Sequence, residues 1–88
     1  MVQVMHEVWR GENSYEFGRP NARADALRAK LEPEAKRVHV IYAASLNEAM
    51  TRYYEWQGWG LYRLPEGFDD VAYTEEDLRE VEAVRPQG

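Results

Sequence analysis

Between Tyr53 and Tyr62 the chain carries five large aromatic rings, at Tyr53, Tyr54, Trp56, Trp59 and Tyr62, on ten residues. No other feature limits the fold as tightly. The surrounding stretch, Ser45 to Leu64, reads as a capped helix, a glycine stop and a short extended segment. Ser45 and Glu48 have capping-box spacing: the hydroxyl can accept from the Glu48 amide while the carboxylate reaches back to the Ser45 amide. Ala49, Met50, Arg52 and Glu55 favour helix. Leu46, Ala49, Met50, Tyr53 and Trp56 recur at three- and four-residue steps, which gives one side to a core. Glu48 and Arg52 form an acid-first pair four apart on the opposite side. Gly58 is placed for a left-handed stop, after which Trp59 can fold back over the last turn. Neighbouring Tyr53 and Tyr54 point about 100° apart on a helix. One narrow core face therefore cannot take all five rings. Either two layers sandwich the helix or some rings line a surface.

The flanks extend this unit. Val38-His39-Val40-Ile41-Tyr42-Ala43 is rich in β-formers and bounded by charge. With Leu61–Leu64 it predicts strand, helix and strand, a compact right-handed βαβ unit if the strands run parallel. The linkers are short for that unit, and the alternative is that Leu61–Leu64 is extended cover over the sheet. Upstream, Val2, Val4 and Val8 alternate with Met5 and Trp9. Gly11-Glu12-Asn13 is turn chemistry and Ser14–Phe17 can return as a second strand. Gly18-Arg19-Pro20 breaks the strand and Asn21 can cap a helix over Ala22–Leu31, ended by Pro33. Its narrow stripe of Ala24, Leu27 and Leu31 should face a sheet. Downstream, residues 65–70 form a loop. Thr74 and Asp77 repeat the capping-box spacing and start a helix reaching about Val84, with Glu75, Glu76 and Asp77 at its positive end. The expected fold is α+β, with a three- or four-stranded sheet covered by two or three helices in the order β-β-α-β-α-β-α. The expected core is Val8, Phe17, Leu27, Leu31, Val38, Val40, Tyr42, Leu46, Met50, Tyr53 and Trp56.

Length and charge bound the function. Eighty-eight residues make one small domain. The absence of cysteine excludes a disulfide framework and a thiolate metal site and fits a cytoplasmic protein. No apolar run has the length of a membrane helix, and the N-terminus lacks a signal-peptide core. The net charge of −5 argues against binding nucleic acid through its phosphates. The charge is uneven: residues 1–44 carry seven Lys and Arg against six Asp and Glu, and residues 45–88 carry four against ten. Glu66–Glu82 holds eight acids and only Arg79. That segment is a solvated acidic helix, or else a face that docks on a basic partner or mimics nucleic acid.

Chemistry-bearing motifs are scarce. Gly58-Trp59-Gly60 lacks the spacing of a phosphate loop. Ser45 is explained by its cap rather than as a nucleophile. His6 and His39, with Glu7 nearby, could approach one another on adjacent strands, but lack the tight ligand spacing of a zinc motif. No cofactor, metal or catalytic set is expected. Glu55, among Tyr54, Trp56 and Trp59, is the best carboxylate for an apolar setting that raises a pKa. The expected site is therefore a binding surface: Arg52, Tyr54, Trp59, Tyr62 and Arg63 around the rings, and Asp69 and Asp70 in the acidic region. The expected role is a protein-interaction or regulatory module, as a monomer or a homodimer. The alternatives are a small enzyme or ligand-binding protein with Glu55 or His39 in an aromatic pocket, and a phage-type acidic inhibitor of a nucleic-acid-binding protein.

The run from Glu48-Ala49-Met50 through Tyr53-Tyr54 to Gly58-Trp59-Gly60-Leu61-Tyr62 resembles a pattern in short uncharacterised bacterial proteins. There a strand is followed by Glu-Ala-Met, a Tyr-rich helix and Gly-Trp-x-x-Tyr. The similarity spans Val38 to Pro65. It implies a bacterial or phage origin and a strand–helix–strand unit, and it brings no activity or cofactor.

Overall fold

A computed structural model describes residues 1–86. The elements are β1 (Val4–Arg10), β2 (Tyr15–Gly18), α1 (Ala22–Leu31), β3 (Lys36–Ala43), α2 (Leu46–Gln57) and α3 (Glu75–Val84). The strands form one antiparallel sheet in the order β2-β1-β3. β1 is central, so both of its edges are paired, and packing from the helices leaves Val4 through Val8 all buried. Pairing sets Val8 against Phe17 on one side and His39 on the other, and His6 against Ile41. A bulge between Val8 and Trp9 puts Trp9 opposite Arg37.

β1 contributes to two buried clusters. Val8, Ile41 and Tyr53 make one buried cluster, joined by Phe17, Met50 and Tyr54, so α2 lies over this face. Met5, Val4 and Val81 make the other, joined by Val40, Tyr73 and Leu78, and it seats α3. Removing aliphatic side chains such as Val8 and Ile41 from water supplies about 1.5–3 kcal/mol each. The Thr74 hydroxyl accepts from the Asp77 amide and the Asp77 carboxylate accepts from the Thr74 amide, completing the capping box of α3. Asn21 Oδ1 accepts from the amides of Arg23 and Ala24 to start α1.

Three expectations need correction. The architecture is α+β with three strands and three helices, within the expected counts, but the order is ββαβαα and there is no fourth strand among the described residues. Residues 61–64 pair with no strand among the described residues, and Leu61 is 84% exposed. The cause is local. After Gly58, at φ 75°, the Trp59 amide donates to the Tyr54 carbonyl. Tyr62 then packs edge-to-face on Tyr54, with centroids 5.1 Å apart. The segment is thus anchored to α2 rather than to a strand, and the strand–helix–strand unit lacks its second strand.

Second, α1 is turned inside out relative to its apolar stripe. Leu27 and Leu31 are 50% and 71% exposed, and α1 buries no residue. The side chain of Arg28 faces the sheet instead, with its guanidinium carbon 3.9 Å above the centre of the Trp9 ring. Third, Val38, Tyr42, Leu46 and Trp56 are exposed, and the core is filled by Val4, Met5, Ile41, the alanines 43, 44 and 49, and Val81. Val8 and Tyr53 are buried as expected, while Phe17, Val40 and Met50 pack at the core margin.

Candidate functional site

The Ser45 hydroxyl accepts from the Glu48 amide at 3.1 Å. The Glu48 carboxylate reaches one residue further back than a capping box requires and accepts from the Ala44 amide at 2.8 Å. These bonds fix where α2 leaves β3 and hence where its rings fall. Tyr53 is buried face-to-face on Phe17, with centroids 4.2 Å apart and planes 3° from parallel. Phe17 in turn stacks on the imidazole of His6 at 5.5 Å. On the outer side Trp59 meets the edges of Tyr53 and Tyr54 at 5.5 and 5.3 Å. A side branch runs from Tyr53 through Trp56, which stacks on His39 at 4.9 Å and meets Tyr15 edge-on. The rings thus form one ladder from the sheet interior to the surface. Edge-to-face and offset pairs of this kind add about 0.5–1.5 kcal/mol beyond area burial.

Exposure rises along the ladder. Tyr53 is buried, Tyr54 and Tyr62 are half-buried, and Trp59 is 56% exposed. Exposed Leu61, Phe68 and Val71 follow in the adjoining segment.

The other expected site residues do not all join this surface. Arg52 turns toward the sheet edge and donates to the Tyr42 carbonyl at 2.9 Å. Asp70 accepts weakly from Asn47 at 3.4 Å. Arg52 and Asp70 share a cleft of about 460 Å³ with Glu48, Glu55 and Thr51 at the start of α2. Arg63 and Asp69 are exposed on the segment after α2. None of the residues lining the Glu55 cleft is an aromatic ring. His39 is half-buried under Trp56.

Two polar centres carry buried networks that the sequence, which offered them only as neighbours in a possible metal site, did not reveal. The first is Glu7, which is 2% exposed. It accepts from Trp9 Nε1 at 3.1 Å, from Arg37 at 2.9 Å, and from Arg85 Nε at 2.9 Å. Arg85 also makes two bonds of 2.8 Å to Asp25, and Arg28 links Asp25 to Glu16. The chain Arg37–Glu7–Arg85–Asp25–Arg28–Glu16 ties β3, β1, α3, α1 and β2 together. Burial opposes the Glu7 charge, but the bonds from Trp9, Arg85 and Arg37 outweigh it and hold its carboxyl below the ordinary range. The hydrogen bonds from Arg85 are the main cause that takes Asp25 down to about 2. Burial opposes the charge of Arg28, yet its bonds to Glu16 and Asp25 hold its pKa above the ordinary value.

The second centre is His6, 1% exposed. Its Nδ1 lies 3.0 Å from the Val4 carbonyl and its Nε2 lies 2.8 Å from the Tyr73 hydroxyl. A proton on Nδ1 satisfies the carbonyl and leaves Nε2 to accept from Tyr73. Burial pushes the His6 pKa down, and the Arg19 charge adds to that. The unfolded chain therefore takes up a proton first as pH falls. Stability is full above the ordinary value of 6.5 and declines below it. Urea midpoints should fall between about pH 7.5 and about pH 5.5 in the wild type, and less in His6→Gln. Equal slopes for the two proteins would refute this.

Among the described residues no group of three or more His, Asp and Glu is placed to hold a metal ion, and no helix is long and apolar enough to cross a membrane. Comparisons with protein-family models, with curated proteins and with solved structures find no match to this chain.

Proposed function

We propose that this chain is a non-enzymatic interaction module of the cytoplasm, which captures a protein partner on the surface built by Tyr54, Trp59 and Tyr62. One observation carries the reading. Trp59 leaves more than half of its surface in water, yet two ring edges and a backbone bond to Tyr54 hold it in place. An indole ordered before contact loses little side-chain freedom on binding, which is how a few aromatic anchors come to dominate an interface. Leu61, Arg63 and Phe68 are also exposed in the segment that follows. The acids from Glu66 to Glu82 would favour encounter with a basic partner.

The test is a Trp59→Ala/Tyr62→Ala double variant. Both side chains lie at the surface end of the ladder, so the far-ultraviolet circular dichroism should be that of the wild type. A partner retained by immobilised wild type should bind the variant about thirtyfold more weakly or worse. Unchanged capture by a folded variant would remove the aromatic surface from consideration. Charge reversal at Asp69, Asp70, Glu75 and Glu76 separates the acidic contribution, which should appear as a lower on-rate and a weaker salt dependence.

A further inference from the structure

β3 is an edge strand of eight residues. Its inner side pairs with β1 except at Val38, the extra residue of the bulge. Among the described residues no strand pairs with its outer side; residues 72–73 bond only past its end, where the Tyr73 amide donates to the Ala44 carbonyl. The Tyr42 carbonyl points to that outer side, since the Arg52 guanidinium of α2 takes it. Alternation of an antiparallel strand puts the amide and carbonyl of Val40 on the same open side. Val38 and Tyr42 are both exposed, although valine and tyrosine are residues that strands normally cover. Unpaired edges of this length are templates for a further strand.

The charges along β3 say which strand. Lys36 and Arg37 stand at its start. Past its end lies the cleft at the first turns of α2, where Glu48, Glu55 and Asp70 face Arg52 alone among the cleft's charged side chains. A basic start and an acidic finish are self-complementary under a two-fold axis, because antiparallel pairing lays each start beside the other finish. The geometry points to a second copy of this chain as the occupant. Two molecules join β3 to β3 about an axis near Val40, making one six-stranded sheet. Val38 of each copy, the bulged residue, then stands near Tyr42 of the other, which brings two exposed apolar side chains together. Lys36 of each copy reaches the acidic cleft of its neighbour. Arg52 yields the Tyr42 carbonyl to a backbone amide and stays on Glu48, from which it is 3.8 Å away. This surface is separate from the Trp59 face and leaves it free in both copies.

Sedimentation velocity over a concentration series tests this directly. The wild type should pass from 10.3 kDa to twice that mass with a dissociation constant on the order of 10 µM. Val38→Lys/Tyr42→Lys places like charges across the seam and should weaken association at least about tenfold with unchanged circular dichroism. Lys36→Glu should weaken it in a salt-dependent manner, and adding Glu55→Lys to that variant should restore most of the loss. A wild type that stays at the monomer mass at every concentration overturns the proposal. So does a dimer indifferent to Val38→Lys/Tyr42→Lys, and so does one that is lost instead with Trp59→Ala, which would put the seam on the aromatic face.

Discussion

An Arg85→Ala variant should lose about 3 kcal/mol of folding stability, more than truncation of any other charged side chain in the molecule. Arg85 sits just past α3 and reaches Glu7 on the central strand, 78 positions away in sequence. Removing it leaves the Glu7 carboxylate buried with only Arg37 and Trp9 to offset its charge. It also leaves Asp25 with Arg28 alone and removes the tie from Arg85 to α1, which then keeps the contacts of Arg28 with Glu16 and Trp9. For a chain of this size each kcal/mol corresponds to roughly 4–8 °C in melting temperature, so the transition should drop by about 12–24 °C. Arg85→Lys should be intermediate, since an ammonium keeps the charge but cannot bridge two carboxylates with a planar fork. Glu7→Leu/Arg85→Leu should regain much of the loss, because the cost lies in stranding one charge.

The acid limb gives an independent readout of the same network. Asp25 has a folded pKa of about 2 against an ordinary 3.8. A depressed carboxylate contributes stability above its unfolded value and loses it as pH falls through the folded one. The wild type should therefore weaken from about pH 4 toward pH 2, and Arg85→Ala should show a shallower slope there. Identical slopes would mean that Arg85 does not hold Asp25 in solution.

That network explains why α1 could be located from the sequence but not oriented. Its cap at Asn21 and its end before Pro33 are local signals, and both boundaries follow from them. Its facing was read from Ala24, Leu27 and Leu31 on the rule that apolar stripes turn inward. The surface under α1 is not apolar, however. It presents Trp9, Glu16 and the Glu7–Arg85 pair, and Arg28 and Asp25 complement it better than leucine does. A trace of this was present in the sequence. Leu78, Val81 and Arg85 share one face of α3, so the stripe that docks α3 ends in a charge that needs a buried partner. What a single sequence could not supply was the identity of that partner.

The rings of α2 show the reverse case. Their crowding on one rod was legible, as were the Ser45 cap, the Gly58 stop and the return of Trp59 over the last turn. Which rings go inside depended on Phe17, a residue of another strand. Leu61–Leu64 was misread because four residues with extended propensity look alike whether they pair with a strand or lean on a helix. Tyr62 decided it by finding Tyr54. Of the expected site residues, the ladder gathers Tyr54, Trp59 and Tyr62, while Arg52 and Asp70 belong to the cleft at the other end of α2.

Tyr53 is where core and surface meet, and Tyr53→Ala should cost about 3–5 kcal/mol. It is the one α2 ring that is buried, and it touches Val8 and Ile41 of the sheet while lying flat on Phe17. Alanine at that position removes the whole ring and opens a cavity between α2 and the sheet. Tyr53→Phe keeps the stack and gives up only the bond that the hydroxyl accepts from Gln57 at 3.0 Å, so it should stay within about 1 kcal/mol of the wild type. The contrast separates packing from polarity in two melts. It also bears on the proposed binding surface. Trp59 is held from one side by Tyr53 and from the other by Tyr54. Without Tyr53 the indole should become mobile, its fluorescence anisotropy should fall, and partner affinity should drop even at temperatures where the variant is still folded. Affinity that survives a loosened indole would show that Trp59 binds without being held in advance, and the ladder would then serve stability alone.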